Sequence, residues 1–477
     1  SGNFEKTDVP PTLISFALGV GRADEIIDNV LKKAGQKVYR YRLPRKENGI
    51  ADYEELVRFL KLLHGEIARK RVDYVSVVED GGAIGEIVKS CLGEGLGFAV
   101  NGVKKDFFTP ALGDILLSCA DPEDFVGYDL ELVGFTTNEP TVRNGCKFKA
   151  MSCDEYIYSG GRELPLEEAR KAFTGTFEAI YPTVAPANGR AENVNYERTK
   201  DIKPSAKTVG KAKPKVFIPV FPGNNCEYDV AKRFAIAGGE PMVYVVRNRT
   251  PQEIDESVKE MAKLIKECKI IAFPGGFTGG DEPDGSGKFI ATTFRNKRLS
   301  DAVNDIIKNS DGLALGICNG FQALVKMGLL PFGEMGELTD ESATLTFNNI
   351  GRHVSTISKI RVASNLSPWL SNVKVGEVYN VAVSHGEGRF SANDATVKKL
   401  IENGQIATQY CDFDGNATMT SPHNPNGSVF AIEGITGPDG RVYGKMGHSE
   451  RIGDNLMKNV GGESDMKIFE AGISYFK

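Results

Sequence analysis

Two textures alternate along this chain: short apolar runs, and longer stretches whose apolar residues recur every three or four positions. In the second half the runs at 214–220, 242–246, 270–273 and 313–318 read as strands, and 227–237, 254–267, 300–308 and 319–327 read as helices. Regular strand-helix alternation predicts a parallel sheet covered by helices. In the first third, Ala23 to Lys33 has helical spacing through Ile26, Ile27, Val30 and Leu31, followed by a strand at 36–41. A second helix is expected over 52–68, with Leu56, Leu60 and Leu63 on one face, and a third over 84–91. Further strands at 72–78, 96–100 and 130–134 complete an α+β or α/β domain. A helix falls within 164–180, but from Tyr181 to Lys213 periodicity is lost among Pro, Asn, Lys and Ala, which reads as a connector with its boundary near Lys211.

Composition narrows the setting. The 477 residues suffice for two or more domains with full cores, and 25% charged residues with a net charge of -5 describe a soluble globular protein. Mild acidity argues against nucleic acid or an anionic membrane as the main partner. No apolar run approaches the roughly 18 residues of a membrane span, so a cytoplasmic setting is expected. Eight cysteines, none in C-x-x-C spacing, read as reduced thiols and neither as a disulfide framework nor as a metal site.

One stretch concentrates the chemistry. Leu313 to Phe321 reads strand, sharp turn, helix, with Cys318 on the turn and Gly316 and Gly320 closely flanking it. A thiol there stands at the carboxyl edge of the sheet, beside helix-start N–H groups that favour an anion. Pro274-Gly275-Gly276 ends a neighbouring strand, so the amide of Gly275 or Gly276, with that of Asn319, could stabilise an oxyanion. Of the five histidines, His448 stands out because Glu450, two residues on, faces the same side of an extended segment and can fix its tautomer. Cys318 as nucleophile, His448 as base and Glu450 as its orienter give acyl transfer or hydrolysis, with a non-enzymatic partner-binding scaffold as the competing reading. In the first domain, Asp80-Gly81-Gly82 between strand and helix is a candidate ligand contact.

The motifs Phe221-Pro222-Gly223-Asn224-Asn225-Cys226, Phe273 to Phe277, Gly316 to Gln322, Asn349 to Arg352, Ser384-His385-Gly386-Glu387-Gly388 and His448 to Arg451 occur in this order. With them, residues from 213 to about 456 resemble the glutaminase domain of the phosphoribosylformylglycinamidine synthase family, class I glutamine amidotransferases of purine biosynthesis. The resemblance implies Cys318, His448 and Glu450 as a triad, and Gly275, Gly276, Asn319, Gln322 and His385 around the oxyanion and substrate. This chain departs from the usual pattern at Gly279-Gly280-Asp281 and at His353-Val354.

Val9 to Ala17, Asp80 to Gly82 and Phe108 to Gly113 are similar to the carboxyl-terminal part of the synthetase region in the fused enzyme. The resemblance therefore implies a synthetase subdomain, aminoimidazole-ribonucleotide-synthase-like, over 1–144, a partly helical connector over 145–212, a glutaminase domain over 213–460 and a tail over 461–477. It also implies that an amino-terminal synthetase portion lies upstream. Family enzymes use glutamine, ATP, Mg2+ and formylglycinamide ribonucleotide, and pass ammonia internally. The glutaminase step itself needs no cofactor.

Overall fold

The computed structural model describes residues 2–4, 7–9, 13–102, 105–148, 156–158, 161–187, 189–200, 202–205, 212–279, 287–339 and 342–477. Contacts divide the chain into two compact units, Ser1–Tyr181 and Pro182–Lys477. The expected connector at 145–212 straddles this division, and the boundary expected near Lys211 lies outside the described residues.

In the first unit an eight-stranded sheet is antiparallel at every pairing except that of Gly97–Asn101 with Thr141–Phe148. Alternation along the strand Ile115–Cys119 separates its two faces. Ile115 and Leu117 join one cluster with Phe59 and Leu63 of the helix Tyr53–Ala68, whereas Leu116 joins the other with Ile87 of the helix Gly82–Leu92 and Leu166 of the helix Leu166–Gly175. The helix expected from Ala23 to Lys33 does not form; only a single turn, Ala23–Glu25, does. The Asp28 carboxylate accepts from the Val30 amide at 3.2 Å, and the Leu31 amide donates to the Ser90 carbonyl at 3.2 Å. Local side-chain and long-range bonds have taken the backbone groups a helix would need.

The second unit is built on a nine-stranded sheet. Five strands run parallel, in the order Glu240–Val245, Lys215–Val220, Ile270–Phe273, Leu313–Ile317, Val442–Lys445. The expected purely parallel sheet is thus only part of it. From Val442–Lys445 the sheet continues antiparallel through Ile432–Thr436, Ile406–Tyr410, Val354–Val362 and Val378–His385. In a flat sheet the last of these would stand four strand spacings, about 19 Å, from Val442–Lys445. Instead Ala382 bridges to His448, whose amide donates to the Ala382 carbonyl at 2.8 Å. The antiparallel strands therefore curl until the outermost one reaches the segment that follows Lys445. The last residues, expected only as a tail, form a helix, Ile468–Ser474, whose Ile468, Phe469 and Ile473 are buried in the same core.

Inside this curl lies a fully buried ion pair. Lys445 Nζ stands 3.0 Å from Glu433 Oε1, both side chains having no exposure. The same ammonium donates to the Gly447 carbonyl at 3.0 Å, the Gly447 amide donates to Glu433 Oε1 at 2.7 Å, and the Thr408 hydroxyl donates to Glu433 Oε2. Buried charges are tolerated only when their hydrogen-bonding capacity is met in this way. Both backbone groups of Gly447, the neighbour of His448, are thereby tied down.

Lys445→Met leaves Glu433 charged without its cation and is expected to destabilise the protein by about 3–5 kcal/mol in denaturant unfolding. Lys445→Met with Glu433→Met should recover most of that loss. If the double variant is no more stable than the single one, the pair is not acting through its charges.

Candidate active site

Cys318 connects the strand Leu313–Ile317 to the helix Asn319–Lys326 in a conformation with φ 52° and ψ -107° that a non-glycine residue rarely adopts. Such strain costs on the order of 1–3 kcal/mol and persists only where surrounding bonds enforce it. The Cys318 amide donates to the Lys445 carbonyl at 2.9 Å, and its carbonyl accepts from the Gln322 amide at 3.0 Å. A Cβ on Gly320 would fall 2.0 Å from the Phe273 carbonyl oxygen, so glycine is obligatory where this elbow meets the next strand. The thiol is 4% exposed and lies 3.9 Å from the Ser384 carbonyl oxygen.

His448 and Glu450 meet, with Nδ1 to Oε1 at 2.6 Å and both side chains buried, but across a turn, in which the Arg451 amide donates to the His448 carbonyl at 3.2 Å, and not along the extended segment expected. Nε2 has no hydrogen-bond partner among the described residues and is the nitrogen left for a proton exchanged with substrate. Burial opposes a charge on this imidazole, but the Glu450 carboxylate, the Cys318 thiol and the Cys226 thiol outweigh it and hold its pKa well above the ordinary value. Burial likewise opposes a charge on Glu450, and His448 reverses that, so the carboxyl is held below its usual range. The pair is an imidazolium-carboxylate couple that shares one buried proton.

Cys226, which carried no role in the sequence beyond its motif, lies beside this pair. Its sulfur is 3.9 Å from His448 Nδ1 and accepts from Arg451 Nη2 at 3.3 Å. Cys226, His448 and Glu450 present donor atoms within 4.8 Å of one another, a spacing that a divalent cation can use. The Arg451 guanidinium on the same sulfur opposes that use.

The glycine loop is fixed by an antiparallel bridge between Gly276 and Asn224. The Asn225 amide donates to the Gly275 carbonyl at 3.3 Å and the Phe277 amide to the Gly223 carbonyl at 2.8 Å, so Gly276 is the non-bonded member of the pair and its own N–H points away from Asn224. At φ 142° a Cβ on Gly276 would come within 2.5 Å of Asn224 Cα. Gly276 and Cys318 line one cavity of about 510 Å³, together with Gln322, His385, Phe277 and Arg352. That size suits a small polar substrate. Asn319, expected as an oxyanion donor, has a fully buried side chain that accepts from Thr278 Oγ1 at 3.1 Å and donates to Gln322 Oε1 at 3.2 Å. Gln322 in turn donates to the Glu387 carbonyl, bracing the far wall.

His385 sits in that wall, 2% exposed, with Nδ1 3.1 Å from Asn348 Oδ1 and Nε2 3.5 Å from Asn426 Nδ2. This network assigns the proton to Nδ1, so that Nε2 accepts. His353, one of the departures from the usual motif, has Nε2 3.2 Å from Ser384 Oγ and also lines the cavity. The other departure, Gly280-Asp281, lies outside the described residues. Asp80 is exposed in the first unit, on the turn before the helix Gly82–Leu92. Sequence reasoning missed Asn348, Asn426, Arg451 and the Lys445–Glu433 pair as contributors. Their only signal was proximity to glycine-rich motifs.

Residues 213–476 match the family of CobB/CobQ-like glutamine amidotransferase domains. The chain is similar to the phosphoribosylformylglycinamidine synthase subunit PurQ of Methanococcus maripaludis strain C7, 33% identical over 286 residues, covering 56% of this chain and 98% of that protein. It is also similar to the subunit of the same name from Aquifex aeolicus, 32% identical over 245 residues, covering 51% of this chain and 93% of that protein. Among solved structures it is similar to a chain in the structure of PurLQS from Thermotoga maritima, at 25% identity with a TM-score of 0.41, covering 56% of this chain and 100% of that one.

Burial, with His448 and His353 nearby, pushes the His385 pKa down to about 3. In the unfolded chain the same imidazole takes up a proton near pH ~6.5, so below that value the unfolded state binds more protons and acid favours it. The contribution of His385 to stability is complete above that pH and declines by up to about 1.4 kcal/mol per pH unit as pH falls towards the folded-state value. Unfolding measured from roughly pH 7 to pH 4 should therefore lose a distinct part of its acid slope in His385→Gln. An unaltered slope would refute the neutral assignment.

Proposed function

This chain belongs to the CobB/CobQ-like glutamine amidotransferase family, and on that premise we propose that it hydrolyses glutamine as the glutaminase part of phosphoribosylformylglycinamidine synthase, supplying ammonia for purine biosynthesis. The observation that carries the mechanism is the meeting of the strained Cys318 elbow, the His448–Glu450 couple and the Gly276 amide at one edge of the sheet.

The Cys318 thiolate attacks the carboxamide carbon of glutamine, and the carbonyl electrons move onto oxygen. The Gly276 N–H, held outward by its bridge, and the Asn319 N–H at the start of the helix stabilise that oxyanion. Loss of one such donor typically costs about 3–4 kcal/mol of transition-state stabilisation. His448 Nε2 protonates the nitrogen as the tetrahedral intermediate collapses, so ammonia leaves and a glutamyl thioester remains. The neutral imidazole then takes a proton from water, whose oxygen attacks the thioester, and glutamate departs as the thiol is restored. Glu450 keeps the proton on Nδ1 throughout, so Nε2 faces the reaction. His385, neutral and locked by Asn348 and Asn426, presents no charge to the cavity and serves as wall and acceptor.

Residues 1–144 are the carboxyl-terminal part of the synthetase region of a fused enzyme, followed by a connector over 145–212. The support is the resemblance of residues 9–17, 80–82 and 108–113 to that region. Asp80, exposed on the turn before a helix, is a ligand contact of that region. The ammonia acceptor is formylglycinamide ribonucleotide, with ATP and Mg2+ used by a synthetase portion upstream. The reaction is cytoplasmic. Among the described residues, no helix is long and apolar enough to cross a membrane.

A glutamine-directed electrophile should modify Cys318 and none of the other cysteines, as read by peptide mapping. Cys318→Ala should lose both the label and glutamine hydrolysis when the upstream synthetase portion is supplied. His448→Ala should lower kcat on the order of 10²- to 10⁴-fold with the fold retained. Absence of selective labelling with that portion restored would leave the chain a binding scaffold.

A further inference from the structure

Cys226 makes no bond to substrate in the glutamine reaction, yet it is a buried thiol beside the catalytic pair. Its sulfur is 3.9 Å from His448 Nδ1, and the residue is 1% exposed. The geometry around Gly275 relates it to Cys318. A Cβ built on that glycine would stand 3.1 Å from Cys226 Sγ, 3.4 Å from Cys318 Cβ and 2.9 Å from His448 Cε1. Both cysteines therefore pack around one point beside Gly275, which the edge of the His448 ring also crowds. The Cys318 sulfur, 3.9 Å from the Ser384 carbonyl, would reach Cys226 by rotation about its own Cα–Cβ bond together with a local movement of the His448 ring and the Gly275 loop.

Among the described residues, the other cysteines behave differently. Burial pushes the thiols of Cys91, Cys119, Cys268 and Cys411 up to about 12, and that of Cys146 upward as well. Such thiols are inert towards oxidants. The Cys226 sulfur accepts from the Arg451 guanidinium at 3.3 Å and donates to Asn225 Oδ1 at 3.2 Å, so it is held at a fixed place beside His448. Cys318 opens onto the cavity, where a small oxidant can reach it.

We propose that Cys226 is a resolving thiol, and that oxidation of Cys318 by a hydroperoxide is captured as a Cys226–Cys318 disulfide. The Cys318 thiolate attacks one oxygen of hydrogen peroxide; the S–O bond forms, the O–O bond breaks, and the departing hydroxide takes a proton from His448 to leave as water. The product is a sulfenic acid. The Cys226 sulfur then attacks the Cys318 sulfur; an S–S bond forms, the S–O bond breaks, and the hydroxyl leaves as water with the Cys226 proton. Peroxide is reduced by two electrons, and the two thiols supply them. Capture stops further oxidation of Cys318 to the sulfinic acid, which ordinary thiols do not reverse.

The inference rests on the reactivity of Cys318 in the reading above, but its readout does not depend on glutamine. Titration of the intact chain with hydrogen peroxide, followed by alkylation and peptide mapping, should give a peptide pair joined through Cys226 and Cys318, lighter by two hydrogens and released by dithiothreitol. In Cys226→Ala the joined pair should disappear and Cys318 should accumulate as sulfinic acid that dithiothreitol does not restore. In Cys318→Ser no joined pair should form. Sulfinic acid at Cys318 in the unaltered chain, at the rate seen in Cys226→Ala and with no joined pair, would overturn the proposal. A pair joining Cys318 to a different cysteine would also overturn it. If the glutamine-directed electrophile labels Cys318 while peroxide gives no joined pair, the disulfide alone fails. If the electrophile does not label Cys318, the glutaminase reading fails whatever peroxide does.

Discussion

The amide of Cys318 donating to the carbonyl of Lys445 is the bond on which the site depends. It joins the ends of two adjacent parallel strands just where one turns into a helix and the other leads to His448. Without it, the elbow would have no reason to keep its strained dihedrals, and the sulfur and the imidazole would belong to separate segments. Because both strands run in the same direction, their carboxyl ends reach the same edge, and the glycine loop after Ile270–Phe273 joins them there. Parallel pairing thus does for geometry what no single loop could do, bringing residues far apart in sequence to a common edge.

Two buried histidines stand near this edge, and their surroundings drive them in opposite directions. Both are desolvated. His448 has a carboxylate at 2.6 Å and is held in its charged form, whereas His385 has only amide partners and is held neutral. The difference comes from which partner each loop supplies, since burial is common to both. One histidine is suited to carrying a proton, the other to shaping the cavity without altering its charge.

Much of this was legible in the sequence because local pattern dictated it. An apolar run ending at Cys318 with a helix beginning at Asn319 permits little except an elbow, and the two-residue spacing of His448 and Glu450 kept them within reach of each other, though a turn and not an extended segment joins them. The antiparallel continuation was not legible: strands such as Val354–Val362 and Val378–His385 acquire their place from pairings with segments distant in sequence, which periodicity does not encode. The locking of His385 depends on Asn348 and Asn426 arriving from two other loops. The segment from Ala23 to Lys33 misled because its helical spacing was real, while Asp28 and the neighbouring helix end offered its backbone better partners. Nothing in the sequence around Lys445 or Glu433 pairs them, and only the curl of the sheet buries them against each other.

That curl divides the site mechanically. Gly447 is tied through both its N–H and its carbonyl to the buried charges, and His448 is tied through its amide to Ala382, so the base is anchored from two directions. The cavity walls are tied by other bonds, from the Phe277 amide to the Gly223 carbonyl at 2.8 Å and from Asn348 Nδ2 to the carbonyls of Arg352 and His385 at 3.1 and 2.8 Å, none of which involves the buried charges. Base and wall are thus held by separate sets of bonds, so a substitution in the wall can reshape the cavity while the His448–Glu450 couple keeps its place. What the cavity admits and what the imidazole can do to it are therefore separable by sequence change, the first set by the loops and the second by the curl of the sheet.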